Sequence, residues 1–157
     1  MGGRGAKSGG FSHFIRQNAL TWARNQVGST QFAKKAELGD WKEGKWKCNA
    51  FVIRAFNYNM LPKVIEQKKN PFTLGLTERA YGAREFYQGK VPGFTRVEDP
   101  QPGDICADGK HVGIVSGKGR TISASEDRVV ENDWGFRPNS PVKPRFYRYT
   151  GAHGDEK

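Results

Sequence analysis

Two residues far apart in the chain have the types and settings for covalent chemistry. The first is Cys48 in Trp46-Lys47-Cys48-Asn49-Ala50-Phe51-Val52, between a polar loop and an apolar run. Phe51, Val52, Ala55 and Phe56 recur at i, i+1, i+4 and i+5, one face of a helix, so Cys48 opens that helix. Unpaired N–H groups and the positive end of the helix dipole favour a thiolate there, drawing a cysteine pKa down from about 8.5. A thiolate needs a base beside it. The candidate is His111, at the head of the strand-like run Gly109-Lys110-His111-Val112-Gly113-Ile114-Val115. A cysteine at a helix start and a distant histidine on a strand are the pieces of a Cys-His nucleophilic pair.

An imidazole that moves protons also needs an acceptor to fix its tautomer and orientation. Residues 111–117 and 120–125 read as a hairpin across Gly117-Lys118-Gly119, whose second strand offers Thr121, Ser123 and Ser125. Ser123 is the first choice to accept the Nδ1 proton. Asp133 and Asn132, in Glu131-Asn132-Asp133-Trp134-Gly135-Phe136-Arg137, are the alternatives. Alternation places His111, Gly113 and Val115 on one face of their strand and Val112, Ile114 and Ser116 on the other. His13, near the first helix, and His153, in a polar tail, read as surface residues.

The elements that must position these groups follow from the hydrophobic pattern. Phe14, Ile15, Ala19, Trp22, Ala23 and Val27 fall at helical spacing over 12–27, with Trp22 facing inward and Gly28 as the stop. Residues 28–47 read as a basic loop forming one wall of a cleft. A second helix is expected from Cys48 to Met60, ahead of Pro62, and a third after an N-cap at Thr77, stopping at Gly89. From Val91 onward prolines and glycines separate short apolar runs, giving strands near 104–107, 111–117, 120–125, 128–133 and 145–149. Helices first and a meandering antiparallel sheet second make an α+β domain.

At 157 residues, 36% of them hydrophobic, the chain can bury one core without staples. The expected organisation is a flexible Gly-rich leader over 1–11, a single domain over 12–150 and a polar tail over 151–157. With only Cys48 and Cys106, the thiols cannot build a disulfide framework or a four-thiolate zinc site, and Cys106 reads as a small buried hydrophobe. No cofactor or metal is expected. No apolar run approaches the roughly 18 residues of a membrane span, and there is no signal-peptide core. The opening Met1-Gly2-Gly3-Arg4-Gly5-Ala6 fails the myristoylation pattern at Ala6. Residues 1–80 carry 14 basic and 5 acidic side chains, net +9, whereas 81–157 carry 12 and 11, net +1. Such a basic half attracts polyanions: nucleic acid, anionic lipid or an anionic cell wall.

Two segments carry a family likeness. Lys47-Cys48-Asn49-Ala50-Phe51-Val52 resembles the nucleophile motif of NlpC-type, papain-like cell-wall cysteine peptidases, with Cys48 as nucleophile and Phe51 as the apolar residue behind it. PGDICADGKHVGIVSGKGRTISAS, at 102–125, resembles that family's second half, with its Pro-Gly-Asp strand entry, its histidine strand and a following strand bearing the third polar residue. The family commonly has a histidine where this chain has Ser123. Its oxyanion-binding tyrosine ahead of the cysteine is replaced here by Gln31 and Phe32. NDWGFRP at 132–138 resembles amidase domains of bacterial polymorphic toxins and secreted interbacterial effectors.

The resemblance implies a papain-like fold and a cysteine hydrolase, with Cys48, His111 and Ser123 catalytic and Asp133, Asn132 and Gln31 as orienting or oxyanion groups. It implies cleavage of amide bonds in peptidoglycan stem peptides by an antibacterial toxin or effector domain, secreted or delivered to the target-cell periplasm. Its implied partners are peptidoglycan and a cognate immunity protein or inhibitor. Two other readings stay open. One is a basic nucleic-acid-binding or nuclease toxin using Trp22, Trp41 and Trp46 among lysines as stacking platforms. No recognised nucleic-acid motif accompanies them, so nucleic acid is not the expected partner. The other is a papain-like deamidase or acyltransferase acting on a host protein.

Overall fold

The computed structural model describes residues 2–36, 47–57 and 81–151, with side-chain environments from Phe11 onward. Helices α1 (Gly2–Asn25), α2 (Cys48–Phe56) and α3 (Ala83–Tyr87) precede strands β1 (Phe94–Val97), β2 (Ile105–Ala107), β3 (Val112–Gly117), β4 (Arg120–Ala124), β5 (Val129–Asn132) and β6 (Arg145–Tyr149). The strands form one antiparallel sheet in the order β1-β6-β2-β3-β4-β5. The architecture is α+β, a helix-rich N-terminal part followed by a six-stranded antiparallel sheet.

Helix α1 packs onto the core through described side chains from Ser12 onward. Ser12, Ile15, Ala19, Leu20 and Ala23 are buried, a stripe at helical spacing. This stripe is rotated from the expected one: Phe14 and Val27 are exposed, Leu20 takes a core place, and Trp22 is half-buried at the margin. Arg16 Nη1 donates to Tyr149 O at 2.7 Å and Arg24 Nη2 to Ser116 O at 2.8 Å, which tie the helix across the sheet. The helix begins at Gly2. Glycines 2, 3, 5, 9 and 10 have low intrinsic helix preference. The helix ends at Asn25, ahead of the expected stop. Gly28, at φ +91°, then turns the chain onto the edge of β5, where its N–H meets Val129 O at 2.8 Å and Ser29 O receives the Val129 N–H at 2.9 Å.

Helix α2 buries Cys48, Ala50, Phe51, Val52, Ile53, Ala55 and Phe56, apolar almost all round, as a helix inside the core must be. Phe51 lies 5.4 Å from both Trp22 and Phe32, ring centre to ring centre, and closes the seam between α1 and the loop after it. The helix ends at Phe56 with Asn57 as its cap; the expected extension to Met60 falls outside the described residues. Helix α3 starts at Ala83, where the Gly82 N–H donates to Glu85 Oε1 at 3.0 Å. Thr77, the expected cap, lies outside the described residues.

The sheet has two unlike faces. Ile105, Ala107, Val112, Ile114, Ile122, Ala124, Val129, Tyr147 and Tyr149 belong to the core shared with α1 and α2. Register and alternation put Cys106, Gly113, Val115, Thr121, Ser123 and Phe146 on the opposite face. Strand β1 was not expected from the sequence: it is short and edge-placed, with exposed Thr95 and Arg96 between Phe94 and Val97, and its partner β6 is some fifty residues away.

The Pro-Gly-Asp entry is a structural joint. Asp104 is fully buried, its carboxylate held by Arg148 Nε and Nη2, both at 2.9 Å, and by the Gln101 N–H at 2.7 Å. Gly103 has φ +97° and lies against α1, where a Cβ would stand 3.1 Å from Arg16 O. The joint thus locks the entry to β2 onto α1 and β6.

Candidate active site

Cys48 begins α2 and is only 6% exposed. Lys47, immediately before it, is buried, and its Nζ donates to Ala33 O at 3.0 Å and Lys34 O at 3.1 Å, fixing the entry to the helix against the 28–36 loop. On the other side, Asn49 Nδ2 donates to Tyr81 O at 2.9 Å. The backbone N–H groups of Val112, Asn49 and Cys48 itself favour the thiolate and pull its pKa down. Burial outweighs them and pushes the thiol above its ordinary value, with the Asp108 charge adding to the rise. The lowered pKa expected from the helix start is therefore reversed, because a helix terminus is visible in a sequence and desolvation is not. The Val112 contact matters for another reason. Val112 directly follows His111, so the β3 entry and the α2 entry meet at the sulfur.

His111 is placed by the β2–β3 turn. Asp108 Oδ1 receives the Lys110 N–H at 2.9 Å and the His111 N–H at 2.8 Å, while His111 O receives the Asp108 N–H at 3.1 Å. Gly109, at φ +99°, supplies the left-handed residue between them. Burial lowers the His111 pKa, and the Asp108 carboxylate partly opposes that. His111 Nε2 lies 2.9 Å from Ser123 Oγ. The hydroxyl thus meets Nε2 rather than the expected Nδ1, and Nδ1 is the ring nitrogen left over for proton exchange. The Trp134 ring stands edge-on to the imidazole, centroids 4.5 Å apart at 81°. Its backbone is pinned by Thr121 Oγ1, which donates to Trp134 O at 2.8 Å, and by Asn132 Oδ1, which receives the Trp134 N–H at 3.1 Å.

Ser123 is buried on β4, and Gly113 is the reason it fits. A Cβ on Gly113 would stand 2.9 Å from Ser123 Cβ and 3.0 Å from Ile122 O. The remaining sequence candidates sit elsewhere. Asp133 is exposed and bound to Arg137 Nε at 2.6 Å, whose guanidinium holds its carboxyl below the usual carboxylate range. Asn132 is spent on the Trp134 N–H, and Gln31 lies exposed on its loop, where its own N–H takes Ser29 Oγ at 3.2 Å. Cys106 is a fully buried free thiol whose pKa burial pushes up, with Gly135 packed directly against its sulfur. His13 is exposed; His153, Trp41 and Trp46 lie outside the described residues. Trp22, offered as a stacking platform, packs against Phe32 and Phe51.

Three residues at the site were not singled out from the sequence. Asp108 had a usable signal, because Asp-Gly between two strand-like runs marks a tight hairpin with an aspartate accepting from its own turn. Gly113 and Trp134 had none, since their roles depend on what lies across the sheet. Among the described residues no group of three or more His, Cys, Asp or Glu side chains could hold a metal, and no helix is long and apolar enough to cross a membrane. Compared with protein-family models, curated proteins and solved structures, the chain gives no match.

Proposed function

We propose that the chain is a papain-like cysteine hydrolase that cleaves amide bonds in peptidoglycan stem peptides. The observation that carries the chemistry is the meeting of three separate elements: the Cys48 sulfur at the start of α2, the Val112 N–H whose field favours its thiolate, and the His111–Ser123 hydrogen bond at 2.9 Å. Burial favours a neutral thiol and a neutral imidazole in the resting site. His111 Nδ1 takes the thiol proton as the sulfur attacks the amide carbonyl, while Ser123 accepts from Nε2–H and fixes the tautomer. As charge passes from the sulfur to the carbonyl oxygen, the Cys48 backbone N–H at the head of α2 is available to help bind the developing oxyanion. His111 then protonates the leaving amine, and water, activated by the same imidazole, hydrolyses the thioester and regenerates the thiol.

The substrate comes from the likeness of residues 47–52 and 102–125 to cell-wall peptidases, and the +9 charge of residues 1–80 suits an anionic wall. On this reading the protein acts in the periplasm of a target cell as an antibacterial effector domain and is neutralised by a cognate immunity protein. Mass spectrometry of purified peptidoglycan after incubation tests it. The expected result is release of stem-peptide fragments by the parent chain and none by Cys48→Ala; intact muropeptides beside a folded, thiol-reactive Cys48 would overturn the substrate assignment.

A further inference from the structure

A groove of about 750 Å³ lies between β1, β6 and the 135–145 connection, away from the α1–α2 core. Four cations line it, Arg96, Arg137, Lys143 and Arg145, against one carboxylate, Glu98. Arg145 is laid over the Tyr87 ring at 4.3 Å and donates to Tyr87 O at 3.2 Å, and Arg137 is turned to Asp133. Arg96 and Lys143 are different. Both are exposed, and neither side chain has a hydrogen bond or ion pair among the described residues. Between the cations the wall is apolar, built from three prolines and from Phe136 stacked on Phe146 at 5.4 Å.

We propose that this groove docks an acidic, extended peptide segment of a partner protein. Arg96 and Lys143 take its carboxylates, and its apolar side chains lie on the proline and phenylalanine wall. The mixed lining decides among polyanions. A phosphate polymer would find charge there but no use for the apolar wall. A single-stranded nucleic acid needs open aromatic faces for its bases, and here Phe136 lies on Phe146 while Arg145 covers Tyr87. An acidic peptide uses both kinds of surface, and the lone Glu98 repels it less than it would a dense run of phosphates. The groove also adjoins the candidate site. Gly135 follows Trp134, the ring on His111, and Tyr87 lies against Gly109 of the His111 turn, where a Cβ would stand 3.7 Å from the Tyr87 ring. The docking site does not depend on what Cys48 does.

Fluorescence anisotropy with the full chain carrying Cys48→Ala tests the proposal, the probe being a short labelled peptide of Glu, Leu and Pro. Saturable binding is expected, weakened about tenfold or more by Arg96→Glu with Lys143→Glu, as loss of charge-assisted contacts requires. Lys35→Glu with Lys118→Glu changes the net charge equally outside the groove and should retain most of the affinity. Equal losses in both double variants would mean a diffuse field rather than a groove, and an absence of saturable binding would also overturn the idea. So would an oligothymidylate that displaces the peptide and itself loses affinity in the groove variant, since the groove would then belong to nucleic acid. If charge reversal lowers the melting temperature, Arg96→Gln with Lys143→Gln repeats the measurement.

Discussion

Cys48 and Cys106 are both buried, both free, and both made harder to ionise by burial, yet their surroundings differ in kind. Cys48 lies at the head of a helix, where three backbone N–H groups favour its thiolate, and a histidine directly precedes the neighbouring strand β3. Cys106 sits mid-strand on the far face of the sheet, opposite Gly113, with the backbone of Gly135 closed over it. One sulfur lies at a helix start beside the backbone N–H that follows a histidine, and the other meets packing. Burial alone therefore says nothing about reactivity; what distinguishes a nucleophile is whether the charge it develops has been provided for.

The largest expected effect breaks that contrast outright. Cys48→Ala removes the proposed nucleophile and should abolish turnover while leaving the far-UV circular dichroism and melting curve close to the parent's. Cys106→Ser should do the reverse. Placing a hydroxyl where the thiol is sealed in costs about 1–3 kcal/mol of stability, read as a lower melting temperature, with turnover per folded molecule retained. Comparable catalytic loss in both, with normal melting, would remove the distinction.

Next comes Gly113, which sharpens the comparison because it touches both regions: it pairs with Cys106 and makes room for Ser123. In Gly113→Ala the new methyl meets Ser123 Cβ and a carbonyl oxygen, neither the end of a flexible chain. Overpacking of this kind costs about 1–3 kcal/mol, and the displaced Ser123 should lower turnover by at least as much as losing its hydroxyl does. Unchanged turnover together with unchanged melting would show that β3 and β4 can separate freely there.

These residues also show what the sequence could and could not disclose. The start of α2 was legible because Phe51, Val52, Ala55 and Phe56 keep helical spacing, and the β3–β4 hairpin was legible because Gly117-Lys118-Gly119 breaks two apolar runs. The direction of the Cys48 pKa was not, because it follows from how much protein lies over the sulfur. Strand β1 escaped for a similar reason. Thr95 and Arg96 look like loop until β6 supplies Arg148 and Tyr147 as partners. The ring on His111 comes from Trp134 on a connection beyond β5, a placement made by the fold rather than by local pattern.

A smaller effect concerns pH. Burial lowers the His111 pKa below 6.5, so the imidazole stays neutral, and able to accept the thiol proton, into mildly acidic solution. The acid limb of kcat/KM should accordingly fall below pH 6.5. Asp108 pushes the other way, since its carboxylate favours the imidazolium. Asp108→Asn keeps a side-chain oxygen for the turn but removes the charge, so the His111 pKa drops further and the acid limb moves to lower pH. An upward shift, or an acid limb above 6.5 in the parent, would contradict the burial account.

The smallest expected effect belongs to Ser123. A hydroxyl accepting from Nε2–H carries no charge, so it orients the imidazole and stabilises the imidazolium only weakly. Ser123→Ala removes one hydrogen bond, a net loss of about 0.5–1.5 kcal/mol, and should slow turnover by roughly three- to tenfold. If the role is orientation, the loss should appear in kcat rather than KM, and Ser123→Thr should restore part of it wherever the added methyl is accommodated. Asp133→Asn is the matched comparison. Its carboxylate faces solvent and Arg137, so turnover should stay at the parent's level. A crippled Asp133→Asn beside an unaffected Ser123→Ala would transfer the orienting role to the carboxylate and require the 132–138 segment to rearrange when substrate binds. His111→Ala sets the scale for both, because an orienting group cannot matter more than the base it orients.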